Sequence, residues 1–571
     1  MEMKSFKRLP YGNSNFESIR TEGYIYIDKT HYIEMLEREE NKYQFFIRPR
    51  KFGKSLFLSM LSHYYDLLRT DSFNTLFGGL YIGANPTPRK NSYAIMLFNF
   101  SGINTTSPEN FQKSFAAKVQ TSVQRFLKKY TSVFEQSNTW INSIEKNQPG
   151  IGAMELAYNA ALAANVKLFV FIDEYDHFAN DLIAMGVDDV YKKMVHANGI
   201  VRDFYETLKI GTSDVIDRIF ITGISPVMID DLTSGFNIAN NLTLEVEYNN
   251  MMGFTEQEVE QLMDETGVDR KLINVDMKWY YNGYLFNKDS PDRIYNPSMM
   301  LFFFHQIINN QKVPEKIIDD NLKTDYGRLQ RLTQNETNRD MLLQIVKNEG
   351  ILTEVQSKFS IDHLYDEDYF VSLLFYMGLL TIEKPMMGMV WLCIPNYSIK
   401  TVFWEYILKM AQINSGFKIN NAELQRTIMA LALDGQAKPF LDYISKTIFN
   451  RLSNRDLIQF DEKYIKIILL VCLFQSRVYI PESETETDLG YIDIYLRRNP
   501  LVPDVKFEWI FELKYLKAGE KAMLTHRRNA QDQLQNYSGS ALMKDRKDLK
   551  KAVILFVGKN KYELFEDNVS V

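Results

Sequence analysis

Two groups of residues in this 571-residue sequence have types and spacings suited to phosphate chemistry. The first is divided between two stretches. In FFIRPRKFGKSLFLSML, Gly53-Lys54-Ser55 lead into an apolar run, and in LFVFIDEYD, Asp173-Glu174 end one. Backbone N–H groups at a helix N-terminus converge on an anion, while a lysine adds charge and a hydroxyl ligates a divalent cation. Lys54 would then meet the outer phosphates of a nucleotide and Ser55 its Mg2+, with Gly53 allowing the tight turn. Asp173 would orient the metal's water shell, and Glu174 would activate the attacking water. The usual loop reads G-x-x-x-x-G-K-S/T. Here its first glycine is Arg48, which with Pro49 narrows the allowed backbone. A further strand-like run, RIFITGIS, puts Thr222 and Ser225 where a hydroxyl could sense the terminal phosphate.

The second group lies near the C-terminus, in the order SETETDLGYIDIYL, WIFELKYLK, AQDQLQNY. Asp493 falls in one strand-like run. Glu512 and Lys514 stand two apart in the next, so both point to one face. Pairing the two runs can bring Asp493 beside that face. Charges inside a run of large apolar residues need a special reason. Close carboxylates with a group that orients water are what metal-dependent phosphodiester cleavage requires. Lys517, Lys521, Arg527 and Arg528 follow; they could track a phosphate backbone or form a solvated helix face.

The elements that must position these groups read as α/β at both ends of the chain. YQFFIRP, YAIMLFNFS, VKLFVFIDEYD and DRIFITGIS are apolar strand runs separated by helical stretches, which indicates a parallel sheet covered on both faces. From about Pro297 to Gly435 the pattern is mainly helical. Within it, YFVSLLFYMGLLTIEKPMMGMVWLCIPN has the outline of a winged helix, a nucleic-acid reader or, as favoured here, a lid or spacer. From about Phe440, helix and strand runs alternate again.

Composition sets limits on function. Hydrophobic residues make up 45% and charged residues 24%, as in ordinary globular chains, and length suggests several domains. The net charge of −6 gives no whole-chain basic signature, so any nucleic-acid contact must be local. Cys393 and Cys472, the two cysteines, read as buried thiols in a reducing compartment. The N-terminus lacks a signal-peptide core. The most apolar run, IKIILLVCLF, contains Lys466, is about half a membrane span, and reads as a core helix. A cytoplasmic protein with no membrane partner is expected.

Taken together, LPYGNSNFESIR, YIDKTHYIEML, RPRKFGKSLFLSML, FIDEYD, FITGISPVMIDDLTSGFNIA, GFTEQEV and YNGYLFN…YNPS closely resemble the bacterial AAA-ATPase-like family over about residues 5 to 300. That family is commonly fused to a PD-(D/E)xK-type nuclease domain, which the tail resembles over about residues 450 to 560. The resemblance implies that Arg48 belongs to the family's own loop, where it could add charge near the phosphates. Arg48, Pro49, Arg50, Lys51, Phe52, Gly53, Lys54 and Ser55, with Asp173 and Thr222, would bind nucleotide. It further implies Asp493 and Glu512 as metal ligands, Lys514 as the group that positions water or stabilises charge, and Gln533 as a helix glutamine near the site. Glu486, seven residues before Asp493, would be an additional metal or supporting acidic group. A glycine-arginine pair expected before the strand aspartate is here Gly490-Tyr491.

The fold class expected is therefore α/β multidomain. It comprises a P-loop NTPase parallel sheet (1–296), a helical/winged-helix connector (297–439) and a restriction-endonuclease-like α/β domain (440–571). The function expected is an ATP-binding, ATP-hydrolysing protein with a metal-dependent nuclease-like domain, an ATP-regulated nuclease acting on DNA or RNA. Its cofactors would be ATP and Mg2+ or Mn2+, its partners nucleic acid and other copies of the chain. Arg202 and Arg218 are arginine-finger candidates by proximity to the ATPase motifs. The alternatives are a switch ATPase or a nucleic-acid-binding protein with an idle nuclease fold.

Overall fold

Apolar runs with little polar alternation become the inner strands of a parallel sheet, because both of their faces are covered. The computed structural model describes residues 7–135, 137–147, 150–179, 182, 199–227, 238–273, 275–314, 319, 327–358, 366–451, 462–516, 523–538, 540, 543, 546, 548–558 and 561–566. By contacts the chain divides into two compact units, Met1–Ile345 with Glu349–Ser398, and Val346–Asn348 with Ile399–Val571.

In the first unit, strands β1 (Tyr43–Ile47), β2 (Ala94–Asn99), β3 (Leu168–Asp173), β4 (Ile216–Gly223) and β5 (Asn240–Asn241) form a parallel sheet in the order β2-β3-β4-β1-β5. Helix α1 (Lys54–Tyr65) leaves β1 through the glycine-containing loop. Helix α2 (Pro108–Lys129) starts from a Ser107 cap with proline at its first position. It buries Phe111, Phe115, Val119, Val123 and Phe126 at helical spacing. Helix α3 (Gly152–Ala163) precedes β3, and α4 (Ile200–Gly211) precedes β4.

The first unit continues with α5 (Glu256–Thr266), opened by a reciprocal Thr255–Glu258 capping box. Helix α6 (Pro297–Asn310) is capped by Asn296. A small antiparallel sheet follows, β6 (Ile351–Thr353), β7 (Thr381–Met386) and β8 (Met389–Cys393), in the order β6-β8-β7, with α7 (Glu367–Tyr376) before β7. Helix, strand, turn and strand thus occur in the order expected for this stretch.

The second unit contains helices α8 (Lys438–Thr447), α9 (Glu462–Gln475) and α10 (Met523–Ser538). Its sheet runs β13-β12-β11-β10-β9, built from β9 (Tyr479–Thr487), β10 (Gly490–Arg498), β11 (Glu508–Leu516), β12 (Leu549–Val557) and β13 (Lys561–Glu566). Only β11 and β12 pair in parallel; the other neighbours are antiparallel. Ala530 and Leu534 of α10 enter a core with Ile492, Tyr495, Ile510 and Val553. Residues 399–439, read as connector, pack within this unit. The Trp509 indole donates to Leu431 O, and Lys506 N donates to Ala432 O. Helix α9 is buried from Tyr464 to Leu473, so IKIILLVCLF is a core helix. Among the described residues no helix is long and apolar enough to cross a membrane.

Candidate functional sites

The first site lies at the C-terminal ends of the parallel strands, where open α/β sheets place ligands. Gly53 adopts φ +93° as the residue before α1, a conformation that disfavours a side chain. Lys51 and Glu174 also take positive φ, +67° and +54°. Non-glycine residues held this way mark sites whose surroundings enforce the geometry. Ser55 Oγ donates to Asp173 Oδ2 at 2.9 Å, joining the loop to the end of β3. The Lys54 ammonium, buried beneath the loop, donates to Arg48 O and Pro49 O, both at 2.9 Å. Burial lowers its pKa to about 8, opposed chiefly by Asp173. Burial likewise raises Asp173, whose Oδ1 has no hydrogen-bond partner.

Strand β4 stands between β1 and β3, pairing Thr222 with Phe46 and Ile221 with Ile172. Thr222 is therefore brought to the line joining the two motifs, fully buried and with its hydroxyl unpartnered. Ser225 differs: its Oγ donates to Asp176 Oδ2 at 2.8 Å, and its N–H donates to the same oxygen. Glu174 is partly exposed, with His177 Nδ1 at 3.4 Å.

In the second site, β10 pairs with β11 through Ile494↔Phe511, and continuing that register sets Asp493 opposite Glu512. On its other side β10 passes from Ile492↔Thr485 to Ile494↔Ser483, which sets Glu484 opposite Asp493. Three carboxylates thus cross three strands in one row, an arrangement that repels itself unless cations intervene. Two lysines do so. Lys514 Nζ donates to Glu512 Oε1 at 2.8 Å. Lys466 Nζ, from α9, donates to Glu484 Oε1 and lies 3.4 Å from Asp493 Oδ1. Asp493 Oδ2 accepts from Leu513 N at 2.9 Å.

Glu512 is 2% exposed, and its second oxygen, Oε2, has no partner. Burial first, then Asp493, raises its pKa to about 7. Glu462, at the start of α9, is also raised by burial, against the opposing pull of Lys514. Among the described residues no three Asp, Glu, His or Cys side chains converge tightly enough to enclose a metal. A Mg2+ ion is ordinarily held by one or two carboxylates, with waters and substrate phosphate completing its shell. The orphaned Glu512 oxygen beside Asp493 fits that pattern.

Comparison with known proteins matches these two regions separately. Residues 10–233 match the family described as Predicted AAA-ATPase (AAA-ATPase-like), and residues 460–565 match the PD-(D/E)XK nuclease superfamily. The chain carries an AAA-ATPase-like domain and, at its C-terminus, a PD-(D/E)XK nuclease superfamily domain. A curated relative, an uncharacterized protein in the vnfD 5' region of Azotobacter chroococcum mcd 1, is 26% identical over 306 residues, which is 53% of this chain and 52% of that one. The chain therefore spans about half the length of that relative. Among solved structures, the Walker-type ATPase PABY2304 of Pyrococcus abyssi aligns with 66% of this chain and 94% of its own, at 11% identity and a TM-score of 0.39. Cdc6p from Pyrobaculum aerophilum aligns with 69% and 98%, at 10% identity and a TM-score of 0.28. The ATPase-like fold rests on the strand order and the family match.

Within the ATPase-like domain, Arg48 does not reach into the loop before α1. It is 0% exposed, its guanidinium donating to the carbonyls of Ile47, Thr243, Tyr248 and Asn249 between the rings of Phe46 and Phe286. It anchors the loop from behind, contrary to the expectation that its charge would lie near bound phosphates. Phe52 is likewise buried, edge-on to Tyr284 and Phe286, and Pro49 backs against Gly378. Arg218 is buried and bonded to Leu36 O, so it is no finger for another subunit; Arg202 pairs with Glu206 on its own helix. The YIDKT motif is architectural: Asp28 receives Thr30 N and Tyr81 N, and Lys29 pairs with Glu258 of the α5 capping box.

In the nuclease-like domain, Glu486 accepts from the Tyr491 hydroxyl, while Glu484 is the acidic residue that shares a lysine with Asp493. Gln533 is half-buried on α10 and makes no hydrogen bond to a described residue. Arg527 stacks on the Phe565 ring at 3.9 Å, and Arg528 is exposed. Lys517 and Lys521 lie outside the described residues. Lys466, Glu462 and Glu484 were absent from the expected site. The signal for Lys466 was its position as a lone charge in the most apolar run.

Proposed function

We propose that the ATPase-like domain binds and hydrolyses ATP, and that its nucleotide state regulates phosphodiester cleavage by the nuclease-like domain on DNA or RNA. One observation supports this reading above others: each site keeps its lysine and its carboxylates, with an orphaned buried oxygen in each, Asp173 Oδ1 and Glu512 Oε2. Lys54 and the loop N–H groups would hold the phosphates, Ser55 and Asp173 the cation's shell. Glu174 would take the proton of the attacking water, and Thr222 would donate to the terminal phosphate. In the second site Asp493 and Glu512 would hold Mg2+ or Mn2+, with Glu484 kept in place by Lys466. A bound divalent cation neutralises phosphate charge and acidifies water. Lys514, beside Glu512, would orient the attacking water toward the phosphorus.

Cleavage of mixed single- and double-stranded DNA and of RNA, with Mg2+ or Mn2+ and with or without ATP, tests the reading. Wild type is expected to cut and Glu512→Ala to lose about a thousandfold or more of that rate, while ATP turnover persists. Lys54→Ala should abolish ATP turnover and change the cutting rate. A cutting rate indifferent to ATP, ADP and Lys54→Ala would remove the regulatory part. Absence of cutting on every substrate, with ATP turnover intact, would favour the switch ATPase.

A further inference from the structure

The YNPS stretch at 295–298 packs directly on the phosphate loop, although 240 or so residues separate them in sequence. Asn296 Nδ2 donates to Arg50 O at 3.3 Å, and Ser298 Oγ donates to Lys51 O at 3.1 Å. In a trans peptide plane the C=O of one residue and the N–H of the next point in opposite directions. Drawing the Arg50 and Lys51 carbonyls toward the start of α6 therefore turns the N–H groups of Lys51 and Phe52 the other way. Among the described residues those two N–H groups have no acceptor, and neither do those of Gly53, Lys54 and Ser55. Five consecutive donors, with Lys51 and Gly53 in left-handed conformations, make a concavity for an anion.

The residue types fit this task more closely than they fit helix capping. Asn296 Oδ1 caps α6, accepting from Ser298 N and Met299 N. Serine or aspartate would cap as well. Neither offers the amide N–H that lets one side chain cap its helix and also hold a loop carbonyl. Asn296 is buried, with its amide nitrogen on the loop. Ser298 is partly exposed, and its hydroxyl also faces the loop.

We propose that Asn296 and Ser298 are positioning residues of the nucleotide site, fixing the peptide planes 50–51 and 51–52 so that the Lys51 and Phe52 N–H groups face the phosphates. The proposal rests on the nucleotide-binding reading of the loop. Removing either donor frees one peptide plane to rotate, and the nucleotide must then order it on binding.

The test is equilibrium binding of a fluorescent ADP analogue and of competing ATP, with Mg2+, to the full chain and five variants. Wild type is expected to bind and Lys54→Ala to fail. Ser298→Ala should bind about fivefold more weakly, the worth of one hydrogen bond, and Ser298→Thr should restore binding. Asn296→Ser keeps a helix cap yet is too short to hold Arg50 O; it too should lose about fivefold, and the pair of Ala and Ser changes about twenty-five-fold if the two act independently. Thermal melting of each variant separates affinity from folding, and Ser298→Ala should melt as wild type does. Wild-type affinity in Ser298→Ala and Asn296→Ser, with Lys54→Ala inactive, would overturn the proposal and leave the nucleotide reading intact. A wild-type chain that binds no nucleotide would overturn both.

Discussion

In the ATPase-like domain burial displaces a lysine from its ordinary ionisation, and in the nuclease-like domain it displaces a glutamate. Lys54 is lowered to about 8 by burial and rests on two loop carbonyls. Glu512 is raised to about 7 by burial and by Asp493, with one oxygen unpartnered. A phosphate would restore full charge to the first, a divalent cation to the second. The two sites differ in construction. The loop site is made largely of backbone donors, and side chains from Arg48 to Ser298 must hold that backbone in shape. The strand site is made of side chains whose spacing the sheet register already dictates. Second-site geometry therefore depends on neighbouring strands, whereas first-site geometry depends on segments far away in sequence.

This contrast can be broken most severely at Arg48. Arg48→Gly restores the usual loop glycine yet strips four carbonyls of their donor and opens a gap between Phe46 and Phe286. It is expected to cost about 4 kcal/mol or more of stability and to leave nucleotide affinity of the folded protein no better. Chemical denaturation with parallel nucleotide titration checks both; a stable, tighter-binding variant would mean that Arg48 does not anchor the loop.

A smaller effect is expected from Glu512. Its pKa in the folded chain lies above the ordinary carboxyl value of 4.5. The folded state thus holds the proton more tightly, and the stability this contributes is full below about 4.5 and lost as pH rises through about 7. The loss should reach about 2 kcal/mol between pH 5 and 8, less than the whole shift because part of it falls below pH 5. In Glu512→Gln that decline should flatten. An unchanged pH profile of stability would show that the carboxylate is already fully compensated.

Lys54 should give a dependence of the same sign, in binding rather than in stability. Only the charged amine meets phosphate, so ATP affinity measured by calorimetry is expected to hold below pH 8 and to weaken about tenfold by pH 9. Affinity that is flat to pH 10 would mean that Lys54 is already charged at that pH before phosphate binds. The mildest change is Gly378→Ala. Gly378 has φ +74°, and a Cβ there would lie 2.8 Å from Pro49 Cγ. A cost of about 1–2 kcal/mol is expected, with a measurable loss of nucleotide affinity because the strain falls on the loop. Stability lost without any change in affinity would locate the strain away from the loop.

Much of both sites was legible before any fold was known. Lys54, Ser55, Asp173 and Glu174 stand at the ends of apolar runs, and the period of two in WIFELKYLK sets Glu512 and Lys514 on one face. Glu486 shows where legibility stopped. The hairpin between β9 and β10 sets which residue opposes Asp493, and it sets Glu484 there. Spacing along a strand leaves that register open, because it depends on the turn and on pairing. Lys466 and Glu462 were not assigned to the site for a related reason: they stand on a helix, and only tertiary packing brings them to the strands.

By itself the sequence determined the types of element, the parallel character of the first sheet and the identities of the charged groups, since periodicity and residue chemistry are local properties. Tertiary structure alone decided where Arg48 points, which acidic residue joins Asp493, and what holds the loop before α1. The partners of Arg48 are carbonyls at 243–249, and those of the loop carbonyls are Asn296 and Ser298. Backbone carbonyls carry no sequence signature. A contact to one therefore becomes visible only when folding brings the two chain segments together.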